Sequence, residues 1–155
     1  MNMILRLAAG GALVSCIFAL NSRDAHGLND PTINQLQMSG TGCSVNSVGN
    51  YVTLEAHGFN AAGQDVCEVS AILSSGSTVS TTCPSDLING VVGHKAYINE
   101  RSTSDWRVVN NYKQSPSMAV WPTTTVTTTN GPITASVAGP GCGTVQATSI
   151  GYKRP

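Results

Sequence analysis

The chain is 155 residues long, 41% hydrophobic and only 10% charged, with a formal net charge of zero. A chain of this size holds one domain beside any short processing segment. Near-neutrality without a basic run excludes electrostatic capture of nucleic acid or of an anionic membrane, because nothing is present to displace counterions from phosphates.

The first segment sets Arg6 before an apolar run from Leu7 to Leu20, followed by a polar stretch from Asn21 to Gly27. That order of charge, apolar core and small-residue site, closing on Ala25-His26-Gly27, predicts a secretory signal over 1–27, cut after Gly27. The run is about 14 residues, short of the roughly 18–20 that span a bilayer as a helix, so no membrane span is expected in the mature chain. Leu13-Val14-Ser15-Cys16 supports a rival reading as a lipobox, with a lipid anchor at Cys16. Ile17 to Leu20 speaks against it by carrying the apolar run past the cysteine. The expected location is secreted or periplasmic, with a lipoprotein as the alternative.

Beyond the leader, apolar residues alternate with polar ones in short runs broken by Gly, Asn and Pro, the period of strands rather than helices. Residues 28–42 form either a lead-in or a first strand through Leu36 and Met38, ahead of a single β domain over 43–155. Val52, Leu54 and Ala56 alternate with Thr53, Glu55 and His57, which predicts a half-buried strand with one wet face. Further strands are expected over Val91 to Ile98, Trp106 to Tyr112 and Thr144 to Tyr152.

Cys43, Cys67, Cys83 and Cys142 form an even set, which in an oxidising compartment predicts two disulfides. None is spaced as Cys-x-x-Cys, which argues against a zinc site. Residues 67–73 and 77–83, joined by Ser74-Ser75-Gly76, read as a hairpin that places Cys67 opposite Cys83 and gathers Val69, Ala71, Leu73 and Val79 on one face. Cys43 is then left to pair with Cys142, tying the start of the domain to its end. Asn130-Gly131 marks a second hairpin, between a strand over Thr123 to Thr129 and one over Ile133 to Val137, with Pro132 obstructing its closing pair. The threonine-rich run lacks the stacked repeats of a regular threonine array and reads as an edge strand.

The remaining candidates for chemistry are sparse. Glu55 and His57 share one strand face, a geometry two metal ligands use, although exposed strand residues explain them as well. His94 sits in no ligand motif, no Gly-x-Ser-x-Gly elbow exists, and the scattered acids define no particular pair. Trp106, Arg107 and Tyr112 lie in the most aromatic and charged segment and are the expected binding residues, with a core position as the competing reading of Trp106. Trp121, before Pro122, reads as core.

These observations predict an all-β fold, a small disulfide-bonded β-sandwich, Ig-like or similar, with a small barrel as the alternative. The expected function is non-catalytic interaction with a protein or glycan partner at the cell exterior, in adhesion, inhibition or an extracellular assembly, with no cofactor. A small secreted hydrolase acting on polysaccharide or peptide is the alternative, and a carrier of a small ligand or metal ion the next.

Overall fold

Period-two alternation of apolar and polar side chains lets each strand bury one face and wet the other, and two such sheets close over a shared interior. The chain divides into two units, Met1–Asp30 and Pro31–Pro155, and the fold is that of the second. The computed structural model describes residues 33–43, 46–47, 49–73, 77–121 and 128–153. The expected leader with its cut after Gly27, Cys16, residues 28–32 of the lead-in, the 74–76 turn and residues 123–127 of the threonine run lie outside those residues.

The strands are β1 (Gln35–Thr41), β2 (Asn46–Ser47), β3 (Asn50–Phe59), β4 (Asp65–Ile72), β5 (Ser77–Thr82), β6 (Gly93–Ser102), β7 (Val108–Gln114), β8 (Ala119–Val120), β9 (Thr129–Gly139) and β10 (Gly143–Tyr152). One sheet has the order β5-β1-β10-β9. In the other, β3 and β6 are central: β2 and β4 pair with β3, and β7 and β8 pair with β6. Every pairing is antiparallel. Among the described residues no helix is long and apolar enough to cross a membrane.

The core lies between the sheets. Leu36 and Met38 of β1, Ala135 of β9, and Val145 and Ala147 of β10 meet Val52, Leu54 and Ala56 of β3 and Ala96 and Ile98 of β6, with Trp121 closing one side. Residues 35–41 are thus a strand at the centre of the smaller sheet, with Gln35 opposite both Tyr152 and Thr82. Gly40 packs directly against the facing layer. A Cβ there would run into the Leu54 side chain and the carbonyl oxygen of Gln146, so only a hydrogen fits.

Both disulfides form between the cysteines paired from the sequence. Cys67 joins Cys83 with Cα atoms 5.5 Å apart, and Cys43 joins Cys142 at 5.4 Å. The expected hairpin around the first link does not form. β4 pairs with β3 and β5 pairs with β1, so the Cys67–Cys83 bond ties the edges of two different sheets. Cys67, Val69, Ala71 and Val79 do face the interior as expected. Alternation reports which face is buried but not which backbone lies alongside, and facing cysteines satisfy the same sulfur geometry across two layers.

The second expected hairpin is also absent. Asn130, Gly131 and Pro132 lie inside β9, which runs on past them against β10, with an irregular register between Ser149 and Gly151. Gly131, at φ +99°, and a cis peptide to Pro132 bend the strand without reversing it.

The two links close loops of 16 and 99 residues of separation. By loop-closure entropy these are worth about 3 and about 4.7 kcal/mol. Guanidinium unfolding with and without reductant is expected to show a large loss of stability on reduction, with Cys43→Ala/Cys142→Ala costing more than Cys67→Ala/Cys83→Ala. Equal midpoints in both conditions would contradict the fold as described.

Candidate functional site

The outer face of β3 is not wet. Thr53 and Glu55 are 0% exposed and His57 6%, against the expectation of an exposed strand face. The reason lies on the flanking strands. Register places Tyr97 beside Glu55 on β6 and Glu68 beside His57 on β4, and their long side chains, with that of Arg101, fold over the centre. Strand alternation could not show this, because the cover comes from residues distant in sequence.

Under that cover lies a closed network of ions. Arg101 grips Glu55 with two prongs, Nε to Oε2 at 2.6 Å and Nη2 to Oε1 at 2.8 Å, and also reaches Glu68 Oε1 at 3.2 Å. Thr53 Oγ1 donates to Glu55 Oε2 at 2.6 Å. His57 lies between two carboxylates, with Nε2 at 2.6 Å from Glu55 Oε1 and Nδ1 at 2.5 Å from Asp65 Oδ2. Both neighbours are acceptors, so the ring satisfies them only as the doubly protonated imidazolium. The Tyr97 ring covers it with centroids 4.4 Å apart.

Burial opposes charge on both central groups, and the partners overcome it. For Glu55, burial raises the pKa, but hydrogen bonds from Arg101, His57 and Thr53 and the charge of His57 hold it well below the carboxylate range. For His57, burial lowers the pKa, but the bonds to Asp65 and Glu55 and the charges of Asp65 and Glu68 raise it to about 9. Each ring nitrogen therefore holds its proton against a carboxylate at neutral pH. Glu55, His57 and Glu68 each bring one ligand atom within 4.8 Å of the others, a donor set of the kind that takes a divalent cation. In this arrangement a cation would have to displace a ring proton and compete with Arg101 for Glu55.

Beside the network is a shallow hollow of about 310 Å³ lined by His57, Asp65, Tyr97, Asn99, Asn111 and Gln114, with Val108 at its edge. Trp106 projects from the β6–β7 turn on the same side, 41% exposed. Its ring lies 5.6 Å from the Arg101 guanidinium carbon and 6.2 Å from the half-exposed Tyr51 ring. Trp106 has φ +62°, a left-handed conformation that costs a bulky residue about 1–3 kcal/mol. Its amide donates to the Ser102 carbonyl at 3.0 Å, and its own carbonyl accepts from Arg101 Nη1 at 2.7 Å, which holds the turn in place.

The three expected binding residues do not share one surface. Arg107 is exposed beside Trp106, with Nε 3.7 Å from Asp105 Oδ2. Tyr112 belongs to the opposite side of the sheet: it lines an apolar cavity of about 210 Å³ between the layers with Val52, Leu73, Ile98 and Val145, and its hydroxyl donates to Glu100 at 2.7 Å. Irregularities in the β6–β7 register, between Ile98 and Asn99 and between Glu100 and Arg101, shift the alternation that would have kept the aromatic residues together. Sequence reasoning missed Arg101 and Asp65 as members of the site. The available signal was that a buried Glu and His require counter-charges.

The second histidine is an internal strut. His94 is fully buried, with Nδ1 accepting from Ser149 Oγ at 2.6 Å and Nε2 donating to Asn130 Oδ1 at 2.8 Å. Burial lowers its pKa and the bonds to Asn130 only partly oppose this, which suits the neutral ring. Ser149 is likewise fully buried, so its hydroxyl meets the imidazole and no outside molecule.

Compared with known proteins, the chain matches no family profile, no curated protein and no solved structure.

Removing Arg101 leaves the Glu55 carboxylate buried without its cation. Arg101→Leu is expected to cost about 3–5 kcal/mol in urea unfolding, and the double variant Glu55→Leu/Arg101→Leu to regain most of that. Equal losses in both would mean that packing, not charge, dominates.

The network also sets a pH dependence. His57 binds its proton to about 9 in the fold against an ordinary 6.5, so its contribution, roughly 3 kcal/mol, is complete below pH 6.5 and lost as pH rises through 9. Glu55, lowered from 4.5, contributes fully above that value and loses its contribution in acid. His94, lowered from 6.5, acts against His57 on the acid side, contributing fully above 6.5 and less below. Melting midpoints are expected to fall between pH 7 and 9.5 in the parent protein and to stay nearly level over that interval in His57→Gln.

Proposed function

We propose that this chain is an exported, non-catalytic recognition domain that binds a protein partner outside the cytosol through Trp106 and the hollow beside it. The observation that carries this is the conformation of Trp106: a bulky aromatic ring, half-exposed, held at positive φ by a guanidinium rooted in a buried ion network. Strain of that kind persists only where the surroundings over-determine it, and a rigid Trp beside an Arg is the composition of interface anchors.

Three further features support the reading. His57 has both ring nitrogens committed to carboxylates, which suits a fixed scaffold better than a proton-transfer group. Asn111 and Gln114 give the exposed rim of the hollow polar groups that a partner can meet, while Asn99 is buried and accepts from Asn111 Nδ2 at 2.7 Å. The leader expected over 1–27 and the two disulfides fit an oxidising compartment.

The test uses the mature protein, immobilised and exposed to the surface and secreted proteins of the producing cells. Trp106→Gly removes the ring and the backbone strain together, so the free energy of unfolding is expected to change by less than about 1 kcal/mol while partner capture falls at least tenfold. Capture that is unchanged in both Trp106→Gly and Arg107→Ser would discard this surface.

A further inference from the structure

Charge is divided unequally between the two sheets. Among the described strands, Glu55, Asp65, Glu68, Lys95, Glu100, Arg101 and Lys113 all belong to the larger sheet. β1, β5, β9 and β10 contain no Asp, Glu, Lys, Arg or His. The outer face of the smaller sheet is built from registered rows of hydroxyls and amides. Thr82, Gln35, Tyr152 and Thr129 form one row, Thr78, Ser39, Thr148 and Thr134 another, and Thr41, Gln146 and Ser136 a third. Neighbouring groups are spaced by about 4.8 Å across strands and about 6.7 Å along them. Toward the Thr41 end of the face lies a hollow of about 170 Å³, lined by Ser39, Gly40, Thr41, Ser77, Thr78, Gln146 and Thr148.

We infer that this face is a second binding surface, whose ligand is a neutral polysaccharide with one sugar ring seated in the Ser39–Gln146 hollow. Complementarity carries the choice. Each Ser, Thr and Gln side chain here can both donate and accept, as each sugar hydroxyl does, so the bonds that the face makes to water can pass to sugar hydroxyls, while Thr148 also shares a bond of 3.0 Å with Thr134. The face offers no ion to a charged polymer, which would surrender its hydration without recompense. A protein partner would be expected to meet Trp, Met or Arg anchors, whereas this face supplies Ile150 and Tyr152 alone, the latter with its hydroxyl tied to Gln37 Oε1 at 2.8 Å. The inference is independent of the Trp106 surface, which lies on the other sheet.

The experiment is retention of the full mature protein on insoluble cellulose, chitin and β-1,3-glucan, with light scattering of the free protein in parallel. Retention on at least one is expected, unchanged between low and high salt. It is expected to fall at least tenfold in Thr78→Glu/Gln146→Glu, whose side chains are exposed and leave the core intact, and to remain in Trp106→Gly. No retention on any of these polymers would overturn the inference, as would retention lost in Trp106→Gly but kept in the double variant. Steeply salt-dependent capture of an anionic glycan instead would also overturn it. So would a concentration-dependent dimer abolished by Gln146→Glu, because a second copy would then occupy the face.

Discussion

The bidentate contact between Arg101 and Glu55 is the constraint on which the larger sheet depends. Glu55 stands at the centre of the central strand with no access to solvent, so its charge must be matched from within. Arg101 supplies the match from β6, and its Nη1 reaches the Trp106 carbonyl. One guanidinium therefore joins the buried strand, the adjacent strand and the turn that presents the exposed aromatic ring. His57 and Asp65 extend the same chain of contacts across the same face to β4. Such a network contributes little net stability compared with an apolar replacement, but it leaves each group a single satisfactory position.

The two layers solve opposite problems of solvation. The larger sheet buries one ion pair, Glu55 with Arg101, and leaves Asp65, Glu68 and Lys113 exposed around it. The smaller sheet keeps no formal charge at all and relies on Ser, Thr and Gln for contact with water. Its boundary strands, β5 and β9, also lack the lysines that commonly guard the rim of a sheet, although Pro132 interrupts β9.

Much of the fold was legible in the residues. Alternation identified the buried side of β3 and β4, an even set of cysteines predicted two disulfides, and their pairing was reached through a hairpin that does not form. What alternation could not supply was the identity of neighbours. The arms of Cys67 and Cys83 each bury the expected face but join different sheets, because inward direction and lateral pairing are separate properties. Asn130-Gly131 carries a strong turn signal, yet Pro132 and the ladder to β10 keep that stretch extended. The site was legible only in part. Trp106 and Arg107 stood out as an aromatic and a cation together, whereas Tyr112 was displaced to the interior side by register irregularities that no local pattern announces. Glu55 and His57 looked exposed because their cover, Arg101 and Tyr97, lies more than forty residues away in the chain for one and forty for the other.

The antiparallel neighbours β1 and β10 bring Gln35 and Tyr152 side by side, so the two ends of the domain leave from one pole. Tension applied through those ends loads the ladder one rung at a time, in the peeling direction, instead of shearing all rungs at once. The peel travels toward Thr41 and Gln146 and halts at the Cys43–Cys142 bond just beyond them. The segment between those two cysteines then lies outside the covalent path of the force.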